Sequence, residues 1–108
     1  MPAANVAEIF DAHIPQKLKD KPSLQGQINA TYLFDVTGDG GGQWIVDLTQ
    51  PGGVITAGGG SAACTVTISA VSLLDIVNGK LKAPMAFMAG KLKVNNAGLA
   101  AKLLPLLS

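Results

Sequence analysis

The chain has 108 residues, 48% hydrophobic and 14% charged, which is too apolar for a disordered segment and enough for one core but not two. All eight basic residues are lysines and the formal net charge is +1; without arginine's bidentate contacts to phosphates and base edges, nucleic acid is not an expected partner. The lone cysteine, Cys64, excludes an intrachain disulfide, and with a single histidine it cannot build a zinc site of the usual kind.

Val6, Ile9, Phe10, His13 and Ile14 recur at three- and four-residue spacing, which predicts a first helix. Asn5 is its expected N-cap, with Glu8 completing a capping box, and Pro15 is expected to break or kink it. Gln16 to Asp20 adds a turn with Leu18 inward, and Lys21-Pro22-Ser23 ends it. Ile28, Ala30, Tyr32, Phe34 and Val36 then alternate with polar or outward residues, predicting a strand over 28–37. The glycine-rich turn 38–42 leads to a second strand, 43–49, with Trp44, Val46 and Leu48 on one face. After Pro51-Gly52-Gly53, a short third strand spans 54–57, Gly58 to Ser61 is a loop, and a fourth strand covers 63–69. Its Cys64, Val66 and Ile68 face inward. A helix over 70–78 follows, capped by Ser69 and closed by Gly79. Pro84 to Ala89 is a second short helix, Lys91 to Asn95 a fifth strand, and Ala97 to Leu104 a last helix capped by Asn95 or Asn96, with Pro105 ending or bending it. Consecutive strands joined by short turns suggest an antiparallel meander with helices on its apolar side.

The glycines at 38–42 run into a strand rather than a helix, so they do not form a dinucleotide cradle. Cys64 falls among Val66 and Ile68 on an inward face, where a cysteine is ordinarily a small hydrophobe rather than a nucleophile served by His13. The carboxylates are scattered, with no pair spaced for acid–base work. Gly-Lys-Leu-Lys occurs twice, at 79–82 and 90–93; this is a solvated edge, or a basic rim for anionic headgroups. The last third is the most apolar. Met85, Phe87 and Met88 share one short helix, and Leu99, Leu103, Leu104, Leu106 and Leu107 make the final helix apolar nearly all round. Such a helix must be buried, dimerise or cover something apolar.

The stretch Ala63-Cys64-Thr65-Val66-Thr67-Ile68-Ser69, then Leu73-Leu74, Gly79-Lys80-Leu81 and Ala86-Phe87-Met88-Ala89-Gly90-Lys91-Leu92-Lys93-Val94 resembles the C-terminal half of sterol carrier protein 2 domains. Tyr32 to Thr37 and Trp44 to Leu48 are similar to that family's first two strands, and the resemblance covers roughly residues 5–107. It implies an α+β fold: a five-stranded, mainly antiparallel sheet with helices on one face and an apolar cavity between them. It also implies non-catalytic binding of fatty acid, fatty acyl-CoA, phospholipid or sterol-like ligands. In related multidomain proteins the module serves dimerisation or brings apolar substrates to an enzyme. One departure is Ala89, where many members carry a glutamine that lines the cavity; a more apolar or wider site is implied.

We therefore expect one domain over residues 1–108, no catalysis and no cofactor or metal. The expected ligand-binding residues are Phe87, Met88, Leu103 and Leu104, with Met85, Leu107 and Trp44 beside them and the last helix as a lid. The expected partners are an apolar lipid and a transient membrane-surface or partner-enzyme contact, with the chain a monomer or weak dimer. Without a recognisable signal peptide, membrane span or peroxisomal tripeptide, a cytoplasmic location is expected.

Overall fold

In the computed structural model, which describes residues 5–50 and 53–107 (104 and 105 by backbone alone), five strands form one sheet in the order β3-β2-β1-β4-β5. They are β1 Thr31–Thr37, β2 Gly42–Asp47, β3 Val54–Ala57, β4 Cys64–Ser69 and β5 Leu92–Val94. β1, β2 and β3 make the expected meander, with Phe34 opposite Trp44 and Val46 opposite Ile55. The meander then stops. β4 lies on the other side of β1 and runs parallel to it, Tyr32 beside Cys64 and Val36 beside Ile68, and β5 closes that edge antiparallel to β4. Three of four pairings are antiparallel, so the sheet is mixed but mainly antiparallel.

The parallel pairing requires the chain to cross from one sheet edge over two strands, and it does so without a helix. The crossing, residues 58–63, lies on the helix-free face. A Cβ on Gly59 would stand 2.5 Å from the Gln43 side-chain oxygen, and one on Gly60 2.8 Å from Ile45 Cδ1. Glycines let the backbone lie directly on the sheet. The Ala63 N–H then donates to Thr31 Oγ1 at 2.9 Å and delivers β4 into register. A meander reading built on short turns misses this, because a glycine run looks the same whether it turns or crosses.

The other face carries Tyr32, Phe34, Val46, Cys64, Val66 and Ile68 and is covered by helices. The first helical stretch is α1 Val6–Glu8, a π-helical turn Ile9–His13 and α2 Ile14–Asp20. Asn5 caps it by accepting from the Glu8 N–H at 3.0 Å. Pro15 does not break it. The proline has no N–H for the Asp11 carbonyl, and the helix absorbs the loss by widening, so that the Ile14 N–H reaches Ile9 five residues back.

α3, Ser23–Ile28, fills the stretch left unassigned between the first predicted helix and the strand expected over 28–37, and takes that strand's first residue, Ile28. Leu24 and Ile28, one helical turn apart, are both buried, and the Gln25 amide donates to the Leu48 carbonyl. Asn29 then turns the chain in a left-handed conformation, φ 43°, which asparagine tolerates better than most residues. Gly26 conceals this helix from propensity.

α4 Ala70–Val77 starts at Ser69, whose Oγ accepts from the Ser72 N–H at 3.2 Å. α5 is Ala83–Met88. α6 is Ala97–Leu107; the Leu99 N–H donates to Asn96 Oδ1 at 3.1 Å, so Asn96 is its cap, and the helix runs past Pro105 rather than ending there. Asn95 instead accepts from the Thr65 N–H and ties β5 to β4. The first two residues of the turn expected at Pro51-Gly52-Gly53 lie outside the described residues.

Candidate functional site

A cavity of about 160 Å³ lies between the β4–β5 end of the sheet, α5 and α6. Val66, Leu92 and Val94, inward on β4 and β5, form its floor. Ala83, Pro84 and Phe87 of α5 form one wall. The other wall is the α6 stripe Ala97, Ala100, Ala101, Leu103 and Leu107, residues three and four apart on one side of the helix. The cavity exists because that stripe begins with alanines. Leucines there would reach across to α5. Every lining residue is apolar, and such a surface favours apolar guests over water; an engineered apolar cavity of ~150 Å³ takes up benzene.

The two walls differ in support. α6 packs on α2, α3 and β4, with Leu103, Leu106 and Leu107 buried. The buried Tyr32 hydroxyl donates to the Leu99 carbonyl at 2.6 Å and pins the helix to β1; burial, and then the neighbouring Cys64, push that phenol up to about 12. α5 buries only Ala83 and Ala86, and its Met85, Phe87 and Met88 are 62%, 50% and 87% exposed. Of the two walls, α5 is therefore the more exposed and the less buried.

Of the residues expected from sequence, Phe87, Leu103 and Leu107 come together on the cavity walls. Met85 and Met88 point away from it into solvent, on the outer side of α5. Trp44 lies elsewhere, because β2 is separated from β4 by β1; its ring stacks on Phe10 at 4.5 Å and 8°, and Phe10 meets Phe34 edge-on at 5.1 Å. The Leu104 side chain lies outside the described residues. The alanines of α6 and the floor residues were not expected as lining. Their signal is the Ala97-Ala100-Ala101 spacing, which reads in sequence as an ordinary helix face.

Among the described residues, no nucleophilic, acidic or basic side chain lines the cavity. Cys64 is buried at the start of β4, its thiol directed at the Asn96 carbonyl, 3.5 Å away. Burial pushes this thiol up, away from the reactive thiolate. His13 belongs to the π-helical turn beside Leu107 and Lys17, not beside Cys64, and burial holds its imidazole below the ordinary 6.5. No group of three potential metal ligands occurs among the described residues. A second, polar depression borders β1, β4 and β5 near the end of α5, lined by the hydroxyls of Thr37, Thr67, Ser69 and Ser72 and by Lys91 and Lys93.

Against known proteins, the SCP-2 sterol transfer family matches residues 10–108. Hydroxysteroid dehydrogenase-like protein 2 of Homo sapiens is 43% identical over 77 residues, 68% of this chain and 18% of that protein. The chain thus spans less than a fifth of this relative's length. Among solved structures, sterol carrier protein domain 2 of Helicoverpa armigera superposes with a TM-score of 0.79 at 31% identity, covering 94% of this chain and 84% of that one. Sterol carrier protein-2 of Aedes aegypti, in complex with the C16 fatty acid palmitate, gives a TM-score of 0.74 at 25% identity and covers 94% and 92%.

Proposed function

Since the chain belongs to the SCP-2 sterol transfer family, we propose that it carries an acyl chain or similar apolar lipid in the cavity between α5, α6 and the β4–β5 sheet edge, and does no chemistry on it. The observation that carries this reading is the lining, which is apolar throughout and contributed by the exposed α5 as well as by the core. The apolar parts of fatty acid, fatty acyl-CoA, phospholipid and sterol-like molecules all match the chemistry of such a surface. Each buried methylene contributes about 0.8 kcal/mol without any directional contact, so affinity comes without narrow selectivity. The resting volume of about 160 Å³ holds part of a long acyl chain. The remainder needs α5 to move outward or the chain to project between α5 and α6. We place the wall at Phe87, Leu103 and Leu107, with Ala100 and Ala101 setting its width.

The protein purified under native conditions is expected to carry extra mass that extracts as fatty acid, phospholipid or another apolar molecule. A bare chain that also fails to bind a fluorescent fatty acid would end the carrier reading.

A second reading is a docking or dimerisation module that presents apolar substrate to an enzyme. It is favoured by the length of the relatives, of which this chain spans 18% in the human case, and by the name of another, peroxisomal multifunctional enzyme A of Dictyostelium discoideum. On the carrier reading the chain acts as a monomer or weak dimer in an aqueous compartment such as the cytoplasm. On the module reading it acts beside an enzyme.

A further inference from the structure

The outward side of α5 has no polar residue. Pro84, Met85, Phe87, Met88 and Ala89 are all exposed, while Ala83 and Ala86 alone face the core. A short helix that shows its large side chains to water leaves Met85 and Met88, and half of Phe87, uncovered by the described residues.

Charge is distributed around this helix in a particular way. All seven carboxylate side chains lie at or before Asp75, whereas residues 76–108 carry five lysines and none. Three of these, Lys80, Lys82 and Lys91, flank α5 and are exposed, while Lys93, paired with Thr67, faces the helix-free side of the sheet. Lys82 immediately precedes the helix. Lys91 is held at its other end, its N–H donating to the Ala86 carbonyl at 2.9 Å. Six helical residues span roughly 9 Å, so a small apolar prominence stands between Lys80 and Lys82 before the helix and Lys91 after it.

We propose that α5 docks on the surface of an anionic lipid bilayer, with Met85, Phe87 and Met88 entering the acyl boundary and the flanking lysines meeting the headgroups. Amphipathic segments with lysine beside apolar residues bind membranes in this way. A second copy of the chain is disfavoured, because the same lysines would face each other. A large protein partner is disfavoured by size, since a few side chains fall well short of the roughly 1,200 Å² that a stable interface buries. Phe87 connects the surface to the interior: it is half exposed and also lines the cavity. Drawing it into the bilayer opens the α5 wall where ligand would cross. That last step rests on the carrier reading above; the docking does not.

The test is flotation of the full chain with phosphatidylcholine vesicles, with and without phosphatidylserine, alongside fluorescent fatty-acid binding in vesicle-free solution. Strong flotation is expected only with phosphatidylserine, weakened by salt. Lys82→Glu with Lys91→Glu should lower partitioning at least about fivefold per lysine. Met85→Ser with Met88→Ser should lower it about tenfold or more. Neither pair lines the cavity, so both should bind fatty acid in solution as the parent does and show its circular dichroism. Equal flotation with neutral vesicles, or parent-like flotation of the serine pair, overturns the proposal. So does a dimer that the serine pair dissolves in a chain that never floats. A chain that floats but binds no fatty acid keeps the docking and loses the carrier reading; one that binds fatty acid and never floats does the reverse.

Discussion

His13 is the chain's only histidine, and its Nε2 is buried without a hydrogen-bond partner. Burial, the largest influence, lowers its pKa; the Leu107 backbone raises it and Lys17 adds to the lowering. In the unfolded chain the imidazole takes a proton near pH 6.5, but in the fold it does so only at lower pH. The unfolded state therefore binds more protons in that interval, and stability falls as pH drops through 6.5 toward the folded value. Between about pH 5 and 7 no other side chain ordinarily titrates. The urea midpoint should fall over this window, and His13→Gln should flatten the fall; an unaltered slope in the variant would remove His13 as its source. The same residue sets the limit of a sequence reading. A helix-face histidine is visible in the 3.6-residue pattern, but the carbonyl it meets, 94 residues later, is not.

Among the elements, those with one clear period were legible: β3 at 54–57 and the helix after Ser69 lie where alternation and capping put them. The failures share a cause, which is a glycine, proline or asparagine whose conformation depends on tertiary context. Gly26 hid α3, Pro15 became part of a π turn and Pro105 did not stop α6. The glycines also differ among themselves in ways that composition does not convey. Gly59 and Gly60 would push a Cβ against the flexible ends of Gln43 and Ile45, which can move aside. Gly41 would place one 2.2 Å from the Val36 carbonyl oxygen and 2.9 Å from that of Gly38. Backbone cannot yield so easily, so Gly41→Ala should destabilise the β1–β2 hairpin by about 2 kcal/mol or more. Gly60→Ala should cost well under half of that, and chemical denaturation of the two variants compares them directly.

For the whole molecule, the family resemblance gave the α+β architecture, and the site was legible only in part. Phe87, Leu103 and Leu107 are bulky and stand out, whereas the cavity owes its volume to alanines, which no hydrophobicity pattern marks as functional. Small residues define the space by what they leave empty. Ala100→Phe should fill it, lowering fatty-acid affinity about tenfold or more for the apolar area denied to the ligand, while circular dichroism stays unchanged. Full affinity in the folded variant would move the ligand elsewhere. The seating of α6 on α2, α3 and β4 has a further consequence for how the molecule is made. Leu103, Leu106 and Leu107 complete a core begun at Val6. During synthesis the part of the core beside β4, α2 and α3 that α6 covers therefore stays open until that helix emerges. Folding waits until α6 has left the ribosome, and a nascent chain stalled near residue 96 would offer chaperones the surface that α6 later covers.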